Sequence, residues 1–356
     1  MHIEIRSHSP GYARYLRKKE LLLTATLALL AVSLVVSLSL GSVAIPLTEV
    51  VKTLAGTSES VRWNTIVFDI RCPRVLTALA AGAGLAASGT VMQSILRNPL
   101  ASPFTLGISQ AAAFGAALSI MGFGSGVVRS TGLSVVVFKN PYATTVSAFC
   151  CCLAATGVLL GISRSRRASP EVMVLSGVAL GSLFSAGTMF LHCFADEVQL
   201  SAMVFWAFGD VGRTSWRELT IMAAVAGASS LFFYSQRWRY NALDSGDETA
   251  KSLGVAAERV RGIGMVVASL ATSAIIAFTG IIGFVGLICP HIMRRLVGND
   301  HRFLFPGACL AGGVVLVTAD TAARLLLIPH VFPVAILTSF LGVPVFMYLI
   351  MRGYRR

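Results

Sequence analysis

Charge is what this sequence has least of. Only 13% of its 356 residues are Asp, Glu, Lys or Arg, against roughly a quarter in ordinary soluble chains. Also missing are a phosphate-cradling G-x-x-x-x-G-K-S/T loop, a metal-binding H-E-x-x-H and any Ser, His and Asp set that spacing alone would nominate. Catalysis and nucleotide hydrolysis therefore lie elsewhere: the chain is not expected to be an enzyme or to bind a cofactor or metal of its own. Seven cysteines occur without a C-x-x-C pair, and Cys150, Cys151 and Cys152 would point to different faces of a helix. That pattern speaks against a metal or disulfide framework and fits small, polarizable packing residues.

What is present is apolar. Hydrophobic residues make up 55% of the chain and the mean hydropathy is +0.75, so lipid is the expected solvent. Apolar runs of about 20 residues recur, each able to cross a hydrocarbon core of about 30 Å as a helix. Ten spans are expected, at 21–40, 75–96, 104–121, 143–162, 172–194, 219–234, 263–281, 282–293, 303–327 and 332–351, the eighth being short. Residues 1–356 then form one all-α polytopic membrane domain. The run 21–40 exceeds a typical signal-peptide core and no cleavage site with a soluble domain follows, so it reads as a retained span. Residues 203–212 are apolar but too few to cross, which suggests a re-entrant or interfacial helix. No internal repeat is evident.

The net charge of +13 sits in short clusters between the apolar runs rather than along one amphipathic face, which argues for topology and against nucleic acid. Cytoplasmic loops carry the Lys and Arg excess. An inside N-terminus puts Arg14, Arg17, Lys18, Lys19, Arg97, Arg164, Arg166, Arg167, Arg237, Arg239, Lys251, Arg294, Arg295, Arg352, Arg355 and Arg356 in the cytosol. The opposite face keeps Lys52, Arg62, Arg71, Arg74, Arg129, Lys139 and Arg213. Both termini are then cytoplasmic, with residues 1–20 an N-terminal segment and 236–261 a cytosolic loop of a multi-pass protein of the cell membrane.

That loop contains NALDSGDETAKSLGV at 241–255, where Asp244, Asp247 and Glu248 put three of the sixteen carboxylates within five residues. Ser245-Gly246 has turn chemistry. The run 247–253 suits a short helix whose dipole tolerates acids at its start.

Polar residues inside the spans need partners or a function. Asp320 and Arg324, four apart, share one helical face and can neutralise each other. Gln93 precedes Arg97-Asn98-Pro99-Leu100-Ala101-Ser102-Pro103, a polar turn that must end its helix because residues before proline avoid the α region. Cys289-Pro290-His291 interrupts a glycine-bearing apolar run and predicts a kinked helix, with His291 fitting a helix-end or packing role as well as that of a ligand. Gly82, Gly84, Ser88 and Gly89, and again Ser176, Gly177, Gly181, Ser182 and Ser185, form small-residue stripes that allow close helix packing or line a pathway.

Five blocks in order carry a resemblance. They are Arg71-Cys72-Pro73-Arg74 with Gly82 to Gly89 and Gln93; Arg97-Asn98-Pro99 through Pro103 with Leu106-Gly107; Phe205-Trp206 with Gly209; Gly246-Asp247-Glu248 through Leu253-Gly254; and Gly283-Phe284-Val285-Gly286 through Pro290-His291 with Gly298-Asn299-Asp300-His301-Arg302. Over about residues 15 to 352 the chain resembles the membrane-spanning permease subunits of bacterial ABC importers for iron-siderophores, haem and cobalamin.

The resemblance implies the type II importer fold, with ten helices per subunit. Its implied partners are a second permease subunit, as a homodimer or close heterodimer around a central path, two cytoplasmic ATPase subunits that bind ATP and Mg, and an extracytoplasmic substrate-binding protein. It assigns Leu243, Gly246, Asp247, Glu248, Ala250, Leu253 and Gly254 to ATPase coupling, and Arg71, Arg74 and Arg324 to docking of the binding protein. Gln93, Asn98, Pro99, Ser169, Glu171, Ser176, Ser182, Pro290 and His291 are its candidates for the path or gate. Two features depart from the family pattern: Cys72 replaces an apolar residue, and Pro170 and Glu171 stand where a small hydroxyl-bearing gate is usual. Iron-siderophore is the expected cargo, with haem or cobalamin as alternatives; His192, His291, His301 and His330 form no pair by spacing that would mark a haem path. A different class, the ion-coupled secondary transporter, would need repeats and a midplane carboxylate, for which Asp320 is the candidate.

Overall fold

The computed structural model describes residues 10–353 except 42, 59, 124–126, 132, 138–140, 167–168 and 327–330. Lys139, Arg167, His330, Arg355, Arg356 and the last residue of the ninth expected span lie outside the described residues.

The first half of the chain runs α1 (Pro10–Ser39), α2 (Leu47–Leu54), α3 (Val61–Asn64), a π-helical segment (Thr65–Arg71), α4 (Cys72–Ile95), α5 (Ile108–Phe123), α6 (Pro141–Arg166) and α7 (Pro170–Phe194). The second half runs α8 (Glu197–Ala207), a 3-10 turn (Val211–Arg213), α9 (Trp216–Ser235), α10 (Arg237–Asp244), α11 (Asp247–Ser252), α12 (Ala257–Thr279), α13 (Val285–Val297), α14 (His301–Leu325) and α15 (Val334–Gly353). Among the described residues one element is not helical: an antiparallel hairpin between α5 and α6, β1 (Val127–Thr131) and β2 (Leu133–Val137), registered from Val127 opposite Val137 to Thr131 opposite Leu133. Valine, frequent in this segment, is a residue type that favours extended backbone.

Among the described residues seven helices are long and apolar enough to cross a membrane. Two shorter apolar helices, Ile108–Gly122 and Val334–Tyr348, and the 13-residue α13 stand at the third, tenth and eighth expected spans. Each of the ten expected spans therefore coincides with a helix, and seven of those helices are long and apolar enough to cross.

The first helix begins at Pro10 rather than residue 21 and the seventh span at Ala257 rather than residue 263; three further differences bear on the site. The second span does not begin at Val75: the helix continues back through the π-helical segment to Val61, carrying the Arg71 to Arg74 block inside it. Pro73 at the start of α4 has no N–H to give, and the wider π turn before it removes the clash with the preceding carbonyl. The eighth helix starts at Val285 because residues 280–284 are unwound, with Gly280 (φ 76) and Phe284 (φ 65) in the left-handed region, and it runs on to Val297 with Pro290 inside it. Residues 203–212 are not one helix: α8 begins at Glu197 under an Asp196–Gln199 capping box and ends at Ala207, where Gly209 packs on the Ile281 backbone.

The core forms around α4, which is buried along most of its length and packed by α14, α12, α9 and α13. The expected small-residue stripe makes this possible. A Cβ on Gly82 would collide with the Gly312 carbonyl of α14, and one on Gly89 with the Gly286 carbonyl of α13. In α7, Gly177 and Gly181 pack on Leu106 and Gly107 before α5, while Ser182 is exposed with its hydroxyl bonded to the Val178 carbonyl. Outward faces of α7 and α15 remain apolar and uncovered, including Leu175, Leu183, Phe190, Phe340 and Leu341.

One end of the bundle collects the N-terminal part of α1, the end of α4, the α10–α11 loop and the α13–α14 turn, where Lys19 lies beside Phe303. The other end collects the end of α1, the start of α4, the 209–213 turn and the end of α14. Charge bias assigns the first end to the cytoplasm.

Candidate functional site

The cytoplasmic end carries the loop that the sequence marks out. Gly246, the N-cap of α11, has φ 115, a backbone conformation that a side chain would strain, and its position fixes the angle between α10 and α11. Gly254 closes α11 at φ 76. The other expected coupling residues take different environments. Leu243 and Ala250 are fully buried and pack in a core cluster with Met92, Ile95 and Tyr240. Glu248 and Leu253 face outward, Leu253 at 66% exposure.

Asp247 does neither. Both its oxygens accept from Arg261 Nη2 at 3.1 Å, while Arg261 Nε donates to the Ile95 carbonyl at 2.7 Å. A second polar contact lies alongside. The fully buried His301 places Nε2 at 2.8 Å from Ser94 Oγ and 3.2 Å from Asp244 Oδ2. Asn241 joins the same corner, accepting from the His301 backbone N–H at 2.9 Å and donating to Asp300 at 3.1 Å. Burial would raise the Asp300 carboxyl, but hydrogen bonds from the Arg302 side chain and backbone and from Asn241 outweigh it and hold the pKa at about 2. Burial pushes the Tyr240 hydroxyl up.

Beyond Ile95 the chain leaves the helix through Arg97 at φ 46, a non-glycine in the left-handed region. Asn98 Oδ1 then accepts from the Leu100 N–H at 2.9 Å, and Pro99 is exposed. Gln93, buried just before the turn, donates to the Leu287 carbonyl at 3.3 Å and so touches α13. Of the other gate candidates, Ser169 and Glu171 are exposed at the start of α7, Ser176 is half-buried, and Pro290 is buried in α13. His291 has both ring nitrogens shielded and without a hydrogen-bond partner among the described residues.

The opposite end holds the three docking candidates in an internal network. Arg71 donates to the carbonyls of Leu38, Ser39 and Val43, which caps the end of α1. Arg74 clasps Asp320 through Nε at 2.9 Å and Nη2 at 2.8 Å, and reaches Asp210 at 3.2 Å. Arg324 Nε meets the same Asp320 at 3.1 Å, as its spacing suggested, and also donates to Ser37 and the Leu40 carbonyl. Asp320 is 1% exposed and Arg74 15%. Sequence spacing reveals the Asp320–Arg324 pair but not Arg74, Asp210 or Ser37, which come from other parts of the chain.

Two cavities flank these ends. An apolar cleft of about 660 Å³ is walled by Phe104, Phe208, Phe284 and Phe340, with the unwound segment before α13 at its back. A more polar cleft of about 720 Å³ opens at the cytoplasmic end between α6, α7 and the starts of α11 and α12, lined by Ser169, Lys251, Arg259 and Arg261. Among the described residues no group of three or more His, Cys, Asp or Glu side chains could hold a metal.

Known proteins share this architecture. The chain is 50% identical to a putative ABC transporter permease protein, MJ0087, of Methanocaldococcus jannaschii, over 97% of this chain and 98% of that one. The hemin transport system permease protein HmuU of Yersinia pestis is 36% identical over 85% of this chain and 87% of its own length. Relatives named for Fe(3+)-citrate import in Bacillus subtilis and vitamin B12 import in Citrobacter koseri are each 33% identical, over 94% and 83% of this chain and 96% and 86% of their own lengths. A solved inward-facing putative metal-chelate type ABC transporter superposes with a TM-score of 0.80 at 31% identity, covering 93% of this chain and 98% of that one. Residues 29–352 match the FecCD transport family, and with relatives above 30% identity over nearly their full lengths the chain belongs to that family of ABC importer permeases.

Proposed function

We propose that this chain forms the membrane path of an ATP-driven importer for a metal chelate, and that an iron-siderophore is its cargo. Permeases named for haem, Fe(3+)-citrate and cobalamin among its relatives support the class. The observation that carries the reading is the α10–α11 loop: a rigid two-helix projection, anchored inward by Leu243 and Ala250, that presents Glu248 and Leu253 to the cytosol. A solvated linker needs no such anchoring. Separate ATPase subunits, binding ATP and Mg, would seat on this surface.

The uncovered apolar faces of α7 and α15 suit a second copy of the chain, and the apolar cleft beside α15 would then open onto the path between the two. At the outer end Arg71, Arg74 and Arg324 gather at the start of α4 and the end of α14, a basic corner that would suit an acidic partner such as a binding protein. The apolar spans would insert in the cytoplasmic membrane, with the charge bias setting their orientation. An ion-coupled transporter is disfavoured by the state of Asp320, whose two oxygens are taken by Arg74 and Arg324 and so offer no free carboxylate for a coupling ion.

Reconstitution in liposomes with a candidate ATPase and binding protein tests the proposal. Uptake of an iron chelate that requires internal ATP supports it; uptake driven by an ion gradient without the ATPase overturns it.

A further inference from the structure

Two polar contacts described above leave the coupling helices separately and end on neighbouring residues. Asp247 of α11 reaches the Ile95 carbonyl through Arg261. His301 Nε2 lies within hydrogen-bond distance of both Asp244 Oδ2 of α10 and Ser94 Oγ, so the three side chains meet at one ring nitrogen. Ser94 and Ile95 belong to the last turn of α4, and each intermediary comes from a third helix, α12 for Arg261 and α14 for His301. Both intermediaries are buried, Arg261 at 6% exposure and His301 at 0%.

Hydrogen bonds to ionised groups are short, directional and stronger than neutral ones, and burial removes the competing water. The last backbone carbonyls of a helix have no intrahelical donor, so the Ile95 carbonyl is free to take the guanidinium N–H. The end of α4 therefore follows α10 and α11 more closely than apolar packing alone would require.

Past this turn the path continues. Arg97 sits in the left-handed region, a conformation that persists only where the surrounding structure holds it. The following turn leads to Leu106 and Gly107, which lie against Gly177 and Gly181 of α7 so tightly that a Cβ on Gly107 would stand 2.7 Å from the Gly181 nitrogen. A shift of the α4 end is thus passed to α7, a wall of the proposed path.

We propose that Arg261 and His301 are positioning residues that transmit movement of the coupling helices to the end of α4 and on to α7. This rests on the importer reading above and adds the residues that carry the motion.

The test uses the full complex in liposomes, with ATPase and binding protein, given haem, ferric citrate and cobalamin in parallel. Two quantities are read: ATP hydrolysed, and substrate taken up per ATP. In Arg261→Gln, hydrolysis stays at the wild-type level while uptake per ATP falls about tenfold, the change expected for losing one charge-assisted hydrogen bond from a coupling step. Arg261→Lys restores part of it, because one ammonium keeps the charge facing Asp247 but not the forked geometry that also reaches Ile95. Ser94→Ala, a small change in the other tether, lowers uptake per ATP in the same sense and carries the test where Arg261→Gln does not assemble. Unchanged uptake per ATP in both variants overturns the proposal. So does a parallel fall of uptake and hydrolysis, which would make the residues assembly contacts. Failure of the importer reading looks different: the wild-type complex itself then shows neither ATP-dependent uptake nor stimulation of hydrolysis by the binding protein.

Discussion

Replacing Asp320 with Asn probes the outer charge network with little change of shape. Asp320 accepts from Arg74 Nη2 at 2.8 Å, from Arg74 Nε at 2.9 Å and from Arg324 Nε at 3.1 Å, at 1% exposure. Asn keeps one acceptor but removes the charge and turns an amide donor toward two guanidinium groups. Breaking a buried ion pair from one side costs about 3–5 kcal/mol, because the orphaned charge stays desolvated. Arg74 retains Asp210 at 3.2 Å, so the cost falls mainly on Arg324, whose remaining partners, Ser37, Thr321 and Leu40, are neutral. A loss of about 3 kcal/mol, the low end of that range, is therefore expected. Thermal unfolding of the purified chain in detergent measures it, and the loss should be the same at low and high salt, since a buried pair is poorly screened. Adding Arg324→Gln to Asp320→Asn should recover part of the stability by removing the orphan. An Asp320→Asn variant that unfolds with the wild type, or a loss that disappears in high salt, would refute the reasoning.

Other outcomes follow from the same geometry. Gly89→Ala should sharply reduce the yield of folded protein, because its methyl meets the Gly286 carbonyl, whereas Gly157→Ala in α6 has open space and should be neutral by size-exclusion profile. Leu243→Ala empties a fully buried site and should cost about 2–5 kcal/mol in thermal unfolding; Leu253→Ala, on an exposed surface, should leave unfolding unchanged while weakening co-purification of the ATPase. The Asp300 carboxyl, with its folded pKa near 2 and an unfolded value of about 3.9, adds stability that is fully present above about pH 4 and lost as pH falls toward 2. Asn241→Ala, by removing one donor, should shift that acid loss to higher pH in a pH series of unfolding curves.

Much of this was legible where the signal is local. Ser245-Gly246 followed by two acids announces a turn and a helix start, and the backbone at Gly246 bears it out. Asp320 and Arg324 announce themselves by spacing, and the long apolar helices by hydropathy. Tertiary partners did not show. Arg74 reaches Asp320 across 246 positions, and His301 reaches Asp244 across 57; nothing in either neighbourhood requires the other. The inward turn of Leu243 and Ala250 was hidden for a similar reason, since the α10–α11 angle decides which face meets the core. The extension of α4 back through Arg71 was masked by Pro73, which normally marks a helix start and here follows a π-helical turn that makes room for it.

That unbroken helix has a thermodynamic consequence. α4 spans 24 residues, about 36 Å at 1.5 Å per residue, with Arg74 held at one end and Ser94 and Ile95 at the other. A rod gripped at both tips cannot relocate one tip alone. If a nucleotide-driven pull on the inner tip alters the outer tip's affinity for a docked protein, then docking must alter nucleotide affinity by the same factor. Measuring either effect fixes the other, so a titration at the outer face reports on events some membrane thickness away.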